Sequence, residues 1–187
     1  MAIVEPSFEK LWEEVKSEFP RAKIVRKDKS LFMKIIFSFL FFTGIDYINN
    51  FITTIGCTVY VPPSWDNGDY SDYSKYAVIR HERTHMRQFR SWPFGRYFWW
   101  INPVLMGFCY IFVLPVFWTT RSYFEKEGYI QNMLVSYERT GTIDLNYWMV
   151  KLEPVFCGPK YCWMDTKKSF RKWITSTVAK IQSGEIK

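Results

Sequence analysis

The only two histidines of the chain lie in one short stretch, "IRHERTHMRQF", residues 79–89. His81 and His85 are four positions apart and Glu82 directly follows the first of them, which makes a His-Glu-x-x-His pattern. On a helix, residues four apart lie on one face, so both imidazoles could bind one zinc ion. Glu82 is rotated by about 100° around the helix axis, where it could act on a metal-bound water without binding the metal. The pattern predicts a zinc site in which Glu82 takes a proton from this water and passes it to a leaving amine.

So short a pattern also occurs by chance, and the alternative interpretation is two exposed histidines on a charged helix. The placement of the only two histidines at metal-binding spacing favours the zinc site. Catalytic zinc takes three protein ligands and a water. Because there is no third histidine, we expect a carboxylate as the third ligand, with a cysteine or a tyrosine as less favoured alternatives. Suitable carboxylates occur in "YFEKEGY", residues 123–129.

Three stretches of the sequence resemble the small, minimal gluzincins encoded by bacteriophages and bacteria, which are zinc peptidases of the thermolysin type. They are "TTIGCTVYVP", "HERTHMRQ" and "LPVFWTTRSYFEKEGY", and the resemblance covers roughly residues 35–135. It implies a zinc-dependent endopeptidase that acts on a peptide or protein substrate. In related peptidases a small residue follows the zinc glutamate by three positions, as Gly128 follows Glu125 here. Glu125 is therefore preferred over Glu127 as the third zinc ligand, although the helical wheel by itself leaves both open.

Other residues are candidates for supporting roles around the zinc ion. Gln88 lies two helical turns after His81 and could hydrogen-bond a ligand, although a surface glutamine is the simpler interpretation. Tyr129 could steady an oxyanion, or it could pack in the core. In gluzincins an edge strand above the metal pairs with the main chain of the substrate. The resemblance therefore implies that Thr58 and Tyr60, on an extended stretch before the histidines, belong to such an edge strand.

The positions of apolar residues, caps and helix breakers predict the elements that must hold these residues in place. We expect an α+β fold, a mostly helical, minimal zincin-like domain with a small β-sheet or hairpin before the His-bearing helix. One domain over residues 1–187 is expected, in which residues 1–30 hold a first helix and a basic connector. The predicted elements are helices at 7–19, 31–44, 75–90 and 119–141, an extended segment at 51–65, and a basic C-terminal helix within 165–187.

Residues 97–118 carry no charge across 22 positions, which is long enough for a transmembrane helix. Asn102 and Pro103 near the start, Gly107 in between and Pro115 near the end favour a shorter buried helix, because proline suits a first helical position. A buried core helix is therefore preferred, and contact with a membrane through residues 97–118 stays open as the alternative.

The composition limits the class of protein. With 48% hydrophobic and 20% aromatic residues, the chain is suited to a packed core and not to disorder. The net charge of +7 includes a basic cluster within 167–172, but no nucleic-acid-binding motif accompanies it, so no specific nucleic-acid partner is expected. The first residues lack a secretory signal pattern. We therefore expect a cytoplasmic monomer, located in the host cytoplasm if a phage encodes it.

Two other functions remain as alternatives to an active peptidase that acts away from a membrane. One is a catalytically silent member of the same family with a structural or assembly role, and the other is a membrane-associated metallopeptidase. The intact Glu82 favours activity, because a decayed site tends to lose its base first. The four cysteines are irregularly spaced, so a disulfide framework is not expected; Cys157 and Cys162 could close a small loop, but reduced thiols are preferred in a cytoplasm.

Overall fold

The computed structural model describes residues 7–40, 47–91, 118–158 and 164–187, and most of them are helical. They belong to two compact units, one within Pro6–Gly107 and the other within residues 108–187. The described helices are α1 (Phe8–Glu18), α2 (Leu31–Leu40), α3 (Tyr47–Asn50), α4 (Asp72–Ser91), α5 (Trp118–Thr140), α6 (Leu145–Cys157) and α7 (Lys167–Gln182). The strands are β1 (Lys23–Arg26), β2 (Thr53–Ile55) and β3 (Thr58–Val61). The predicted α+β class, mostly helical with a small sheet, is confirmed.

The sheet of the first unit has the strand order β1-β3-β2. β2 and β3 are antiparallel and correspond to the predicted extended segment. Gly56, between them, has a φ of 60°, a left-handed conformation that favours glycine. β1 is parallel to β3, with Lys23 opposite Thr58, although its residues were predicted to be a basic connector. Because β1 gains its hydrogen bonds from a strand distant in the chain, no local pattern reveals it.

Helix α4 extends from Asp72 to Ser91, which confirms the predicted helix at 75–90. The amide of Ser74 donates to Oγ of Ser71 at 3.1 Å, so the polar stretch before the helix caps it. α4 packs against α1, and apolar side chains of both helices, of β3 and of the turn that follows form the core of this unit. These side chains are Leu11, Val15, Phe19, Val59, Val61, Trp65, Ile79 and Met86. This packing determines which side of α4 is buried.

A cluster of ion pairs also joins α1 to α4. The carboxylate of Glu18 accepts hydrogen bonds from Arg83 at 2.8 Å and from Arg87 at 2.7 Å, with Arg90 at 3.4 Å. The hydrogen bond from Arg87, together with that from Arg83, lowers the pKa of Glu18 to about 2, although burial acts in the opposite direction. Glu18 is only 18% exposed, so solvent screens these interactions less than at an open surface.

Glu18→Gln should lower the free energy of unfolding by about 1–2 kcal/mol, because three arginines lose the charge they share. The contribution of Glu18 is fully present above its ordinary pKa of 4.5 and is lost as the pH falls towards about 2. Urea denaturation at about pH 7 and about pH 3 measures both effects, and the difference from wild type should shrink by about half or more at the lower pH.

Glu14→Gln is the matched control for this prediction. Glu14 contacts Arg83 at 3.1 Å but is 64% exposed, so its loss should change the free energy of unfolding by less than about 0.5 kcal/mol. Equal effects of the two substitutions would mean that Glu18 has no special part in holding α1 to α4.

Three helices, α5, α6 and α7, form the described part of the second unit. α5 ends at Thr140, and Gly141 follows with a φ of 69°, as its role as a stop signal predicted. α7 confirms the basic C-terminal helix. α6 lies where no element was predicted, and it contains Pro154, a residue that ordinarily argues against the interior of a helix. The core side chains of this unit are Met133, Leu134, Ile143, Trp148, Leu152, Phe156, Met164, Phe170, Ile174, Val178 and Ile181.

Some predictions concern residues outside the described ranges. They include the apolar segment at 97–118, of which Trp118 alone is described, the part of the second helix beyond Leu40, and Cys162. Within the described ranges, no helix combines the length and the apolar character that crossing a membrane requires. Cys57 and Cys157 are free thiols.

Candidate metal centre

Helix α4 brings His81 and His85 together on one face. Their Nε2 atoms are 3.0 Å apart, and their ring centroids are 4.8 Å apart with an interplanar angle of 70°. His81 is buried, with 7% of its surface exposed, and His85 is half-buried. The spacing of one helical turn therefore directs both imidazoles at a common point. The alternative interpretation, two exposed histidines that do not interact, therefore does not fit this arrangement.

Gln88 determines which nitrogen of His85 is directed towards His81. Its Oε1 lies 2.8 Å from Nδ1 of His85, and its side chain is 8% exposed. Because an amide oxygen only accepts, His85 donates its proton from Nδ1 and keeps a lone pair on Nε2. A histidine anchored in this way presents Nε2 as a metal ligand. Gln88 is therefore buried and accepts a hydrogen bond from His85, which is one of the partners considered for it, whereas its interpretation as a surface glutamine is wrong.

The distance between the two Nε2 atoms suits a shared cation. Two nitrogen ligands at about 2.0–2.1 Å from a tetrahedral zinc ion are about 3.3 Å apart. This value is close to the 3.0 Å between Nε2 of His81 and Nε2 of His85. A proton on His81 would also fit this distance, because it could donate to the lone pair of His85. The distance is therefore compatible with a shared metal ion and with a direct hydrogen bond between the two rings.

A buried lysine interacts with the glutamate of the His-Glu-x-x-His pattern. Glu82 is 7% exposed, and Lys27, at the start of a 3-10 turn after β1, is fully buried. Nζ of Lys27 donates to Oγ1 of Thr53 at 3.1 Å. Burial lowers the pKa of Lys27 to about 7, and the negative charge of Glu82 opposes this change. Lys27 was not among the predicted site residues, because a lysine in a basic connector is expected at the surface and no motif marks it.

Two glutamates on α5 are candidates for the third ligand, and their surroundings differ. Glu125 is buried, with 6% of its surface exposed. Glu127 is half-buried and accepts a hydrogen bond from the hydroxyl of Tyr123, which raises the pKa of that tyrosine. A buried carboxylate needs a cation or hydrogen-bond donors, whereas Glu127 has an exposed tyrosine as a partner. Burial therefore favours Glu125 over Glu127 as a metal ligand.

Tyr129 follows Glu125 by one helical turn on α5. Its ring packs on that of Phe156 in an edge-to-face arrangement, with the centroids 5.6 Å apart. It is one of the partly buried residues around the core of the second unit. This contact agrees with a packing role for Tyr129, and the steadying of an oxyanion stays a prediction.

The structure corrects the prediction for Thr58 and Tyr60. Both lie on β3, the central strand, whose main chain pairs with β1 on one side and with β2 on the other. The prediction that they form an edge strand is wrong, because the stretch before them folds back as β2 and the distant β1 pairs with the opposite side. One of the two outer strands, β2, contacts α4.

Comparisons with known proteins do not place the chain in a family. No family model matches it, and no match is found among curated proteins or among solved structures. The resemblance to gluzincins therefore depends on the sequence motifs alone, and the class of protein has to be inferred from the site.

Proposed function

We propose that the protein is a zinc-dependent peptidase. Its metal ligands are His81, His85 and Glu125, and its general base is Glu82. The observation that carries the proposal is the pair of Nε2 atoms 3.0 Å apart on α4, with the other nitrogen of His85 anchored by Gln88. Glu125 is proposed as the third ligand because it is a buried carboxylate and because the sequence motifs favour it. Two imidazoles and one carboxylate are a donor set of catalytic zinc, which supports zinc as the metal.

The side chains of α4 have separate roles in the proposed hydrolysis, namely metal binding, proton transfer and the orientation of a ligand. When bound, a zinc ion lowers the pKa of its water to about 7 and polarises the carbonyl of a substrate. Glu82 directly follows His81 on α4, and its proposed role is to take a proton from the attacking water and deliver it to the leaving amine. Gln88 holds His85 by its Nδ1 proton, which keeps the imidazole oriented while its other nitrogen binds the metal.

The main chain of a peptide or protein substrate is proposed to lie beside β2. This strand is at the edge of the sheet and contacts α4, whereas β3 has both of its sides paired. Strand addition would orient an extended peptide through its main chain, so side-chain pockets would determine only the preference for a cleavage position. This placement transfers to Thr53–Ile55 the role first predicted for Thr58 and Tyr60.

The metal content of the purified protein tests the proposal. Elemental analysis of protein prepared without added metal should give about one zinc per chain. His81→Ala and His85→Ala should each abolish this zinc. Gln88→Ala should retain the site with an affinity lower by about 10–100-fold, because it removes the anchor of His85 and not a ligand. Wild-type protein that stays free of metal after incubation with zinc would refute the proposal.

A further inference from the structure

Lys27 is a buried charged side chain that the proposed reaction does not yet use. It is fully buried, whereas Lys29, two residues along the same 3-10 turn, is exposed. Removing an ammonium group from water is costly unless hydrogen-bond acceptors or an opposite charge compensate for the lost hydration. The burial of Lys27 in preference to its neighbour therefore needs an explanation in the groups around it.

Thr53 and Glu82 supply this explanation. Oγ1 of Thr53 accepts a hydrogen bond from Nζ of Lys27 at 3.1 Å, and β2, which carries Thr53, packs against α4. Glu82 is on the buried side of α4, the helix that contacts the strand of Thr53. Its negative charge favours the charged form of Lys27. The ammonium group of Lys27 is thus hydrogen-bonded to β2, the edge strand that contacts α4, and α4 carries Glu82. A buried charge without a partner is strongly destabilising, so each of these two buried side chains offsets part of the cost of burying the other.

We infer that Lys27 is a positioning residue for Glu82, whose carboxylate it holds in place as a counter-charge anchored by Thr53. The catalytic meaning of this inference rests on the proposed function, whereas the pairing of the two side chains does not. A base that takes a proton from one atom and delivers it to another must be well placed, since a displacement of about 1 Å can lower a rate by about 100-fold. An anchored ammonium group restricts the carboxylate in this way.

A double-mutant cycle on the purified protein tests the pairing. Lys27→Met, Glu82→Gln and the double variant are unfolded in urea beside the wild type, and the zinc content of each is measured. Lys27→Met should reduce the folding equilibrium constant by about tenfold more in the wild-type background than in the Glu82→Gln background. Lys29→Met is the matched control and should have the same effect in both backgrounds. Equal effects of Lys27→Met in the two backgrounds would overturn the inference.

Thr53→Val provides a second variant that keeps the shape of the side chain and removes the acceptor for Nζ of Lys27. Thr53→Val should reduce the folding equilibrium constant by about two- to fivefold more in the wild-type background than in the Glu82→Gln background. The reason is that the ammonium group of Lys27 loses its hydrogen-bond acceptor. If Lys27→Met does not fold, this variant decides the question, and independence of Thr53→Val from Glu82→Gln would overturn the inference.

The kinetics of the zinc-loaded protein separate positioning from a structural role. Lys27→Met should lower kcat by about 10–100-fold and leave KM and zinc content within about twofold of wild type, since it acts through the base. Loss of zinc, or a higher KM with unchanged kcat, would overturn the positioning role. If the wild type neither binds zinc nor cleaves peptides, the proposed function fails, and the stability cycle still decides whether Lys27 and Glu82 pair.

Discussion

Glu82→Gln should lower kcat for peptide hydrolysis by about 10²–10⁴-fold, the effect expected from the loss of a general base. The amide has nearly the same shape as the carboxylate but cannot accept a proton. Because Glu82 is proposed to act on the attacking water and not on the metal, zinc content and KM should stay near those of wild type. Cleavage of casein or of a peptide library, followed by mass spectrometry, measures the change and supplies the substrate.

Glu127→Gln is a suitable control for this experiment, because it makes the same chemical change at a glutamate that accepts a hydrogen bond from Tyr123. Its kcat should stay within about threefold of wild type. If wild type and Glu82→Gln cleave equally well, Glu82 is not the base and the mechanism is wrong. If zinc binds but no peptide is cleaved by either protein, a catalytically silent role with the same ligands becomes the better interpretation.

Glu125→Ala should weaken zinc binding by about 100-fold or more, because a catalytic zinc site normally has three protein ligands. Glu127→Ala should change the zinc affinity by less than about threefold, because the carboxylate of Glu127 accepts a hydrogen bond from Tyr123 and is not proposed as a zinc ligand. Competition for zinc with a coloured chelator measures both affinities. The burial of Glu125 and the hydrogen bond of Glu127 to Tyr123 are the physical reasons for the expected difference.

Glu125→Gln complements this comparison, because it keeps the volume of the buried side chain and removes its charge. Zinc affinity should fall in this variant too, which would separate the loss of a ligand from the loss of packing. A large fall in zinc affinity for Glu127→Ala, with Glu125→Ala near wild type, would move the third ligand two residues along α5.

The residues of the candidate site that could be predicted from sequence spacing alone all lie on one helix. His81, Glu82, His85 and Gln88 lie within eight residues of α4, and a period of about 3.6 residues per turn places them relative to one another. Their types and spacing were therefore enough to predict the paired imidazoles and to mark Gln88 as a candidate partner of a ligand, although they left open whether it is buried. α1, α5 and α7 were predictable for the same reason, because caps, glycine stops and apolar periodicity are local signals.

The residues that surround this helix depend on how distant parts of the chain pack together. β1 exists because it pairs with β3, and that pairing makes Thr58 and Tyr60 part of a central strand and leaves β2 at the edge. The same chain path buries Lys27 beside Thr53 and within reach of the charge of Glu82, although nothing distinguishes it in sequence from the exposed Lys29. Strand pairing and the burial of a charge depend on contacts between residues distant in the chain, and local periodicity carries no information about such contacts.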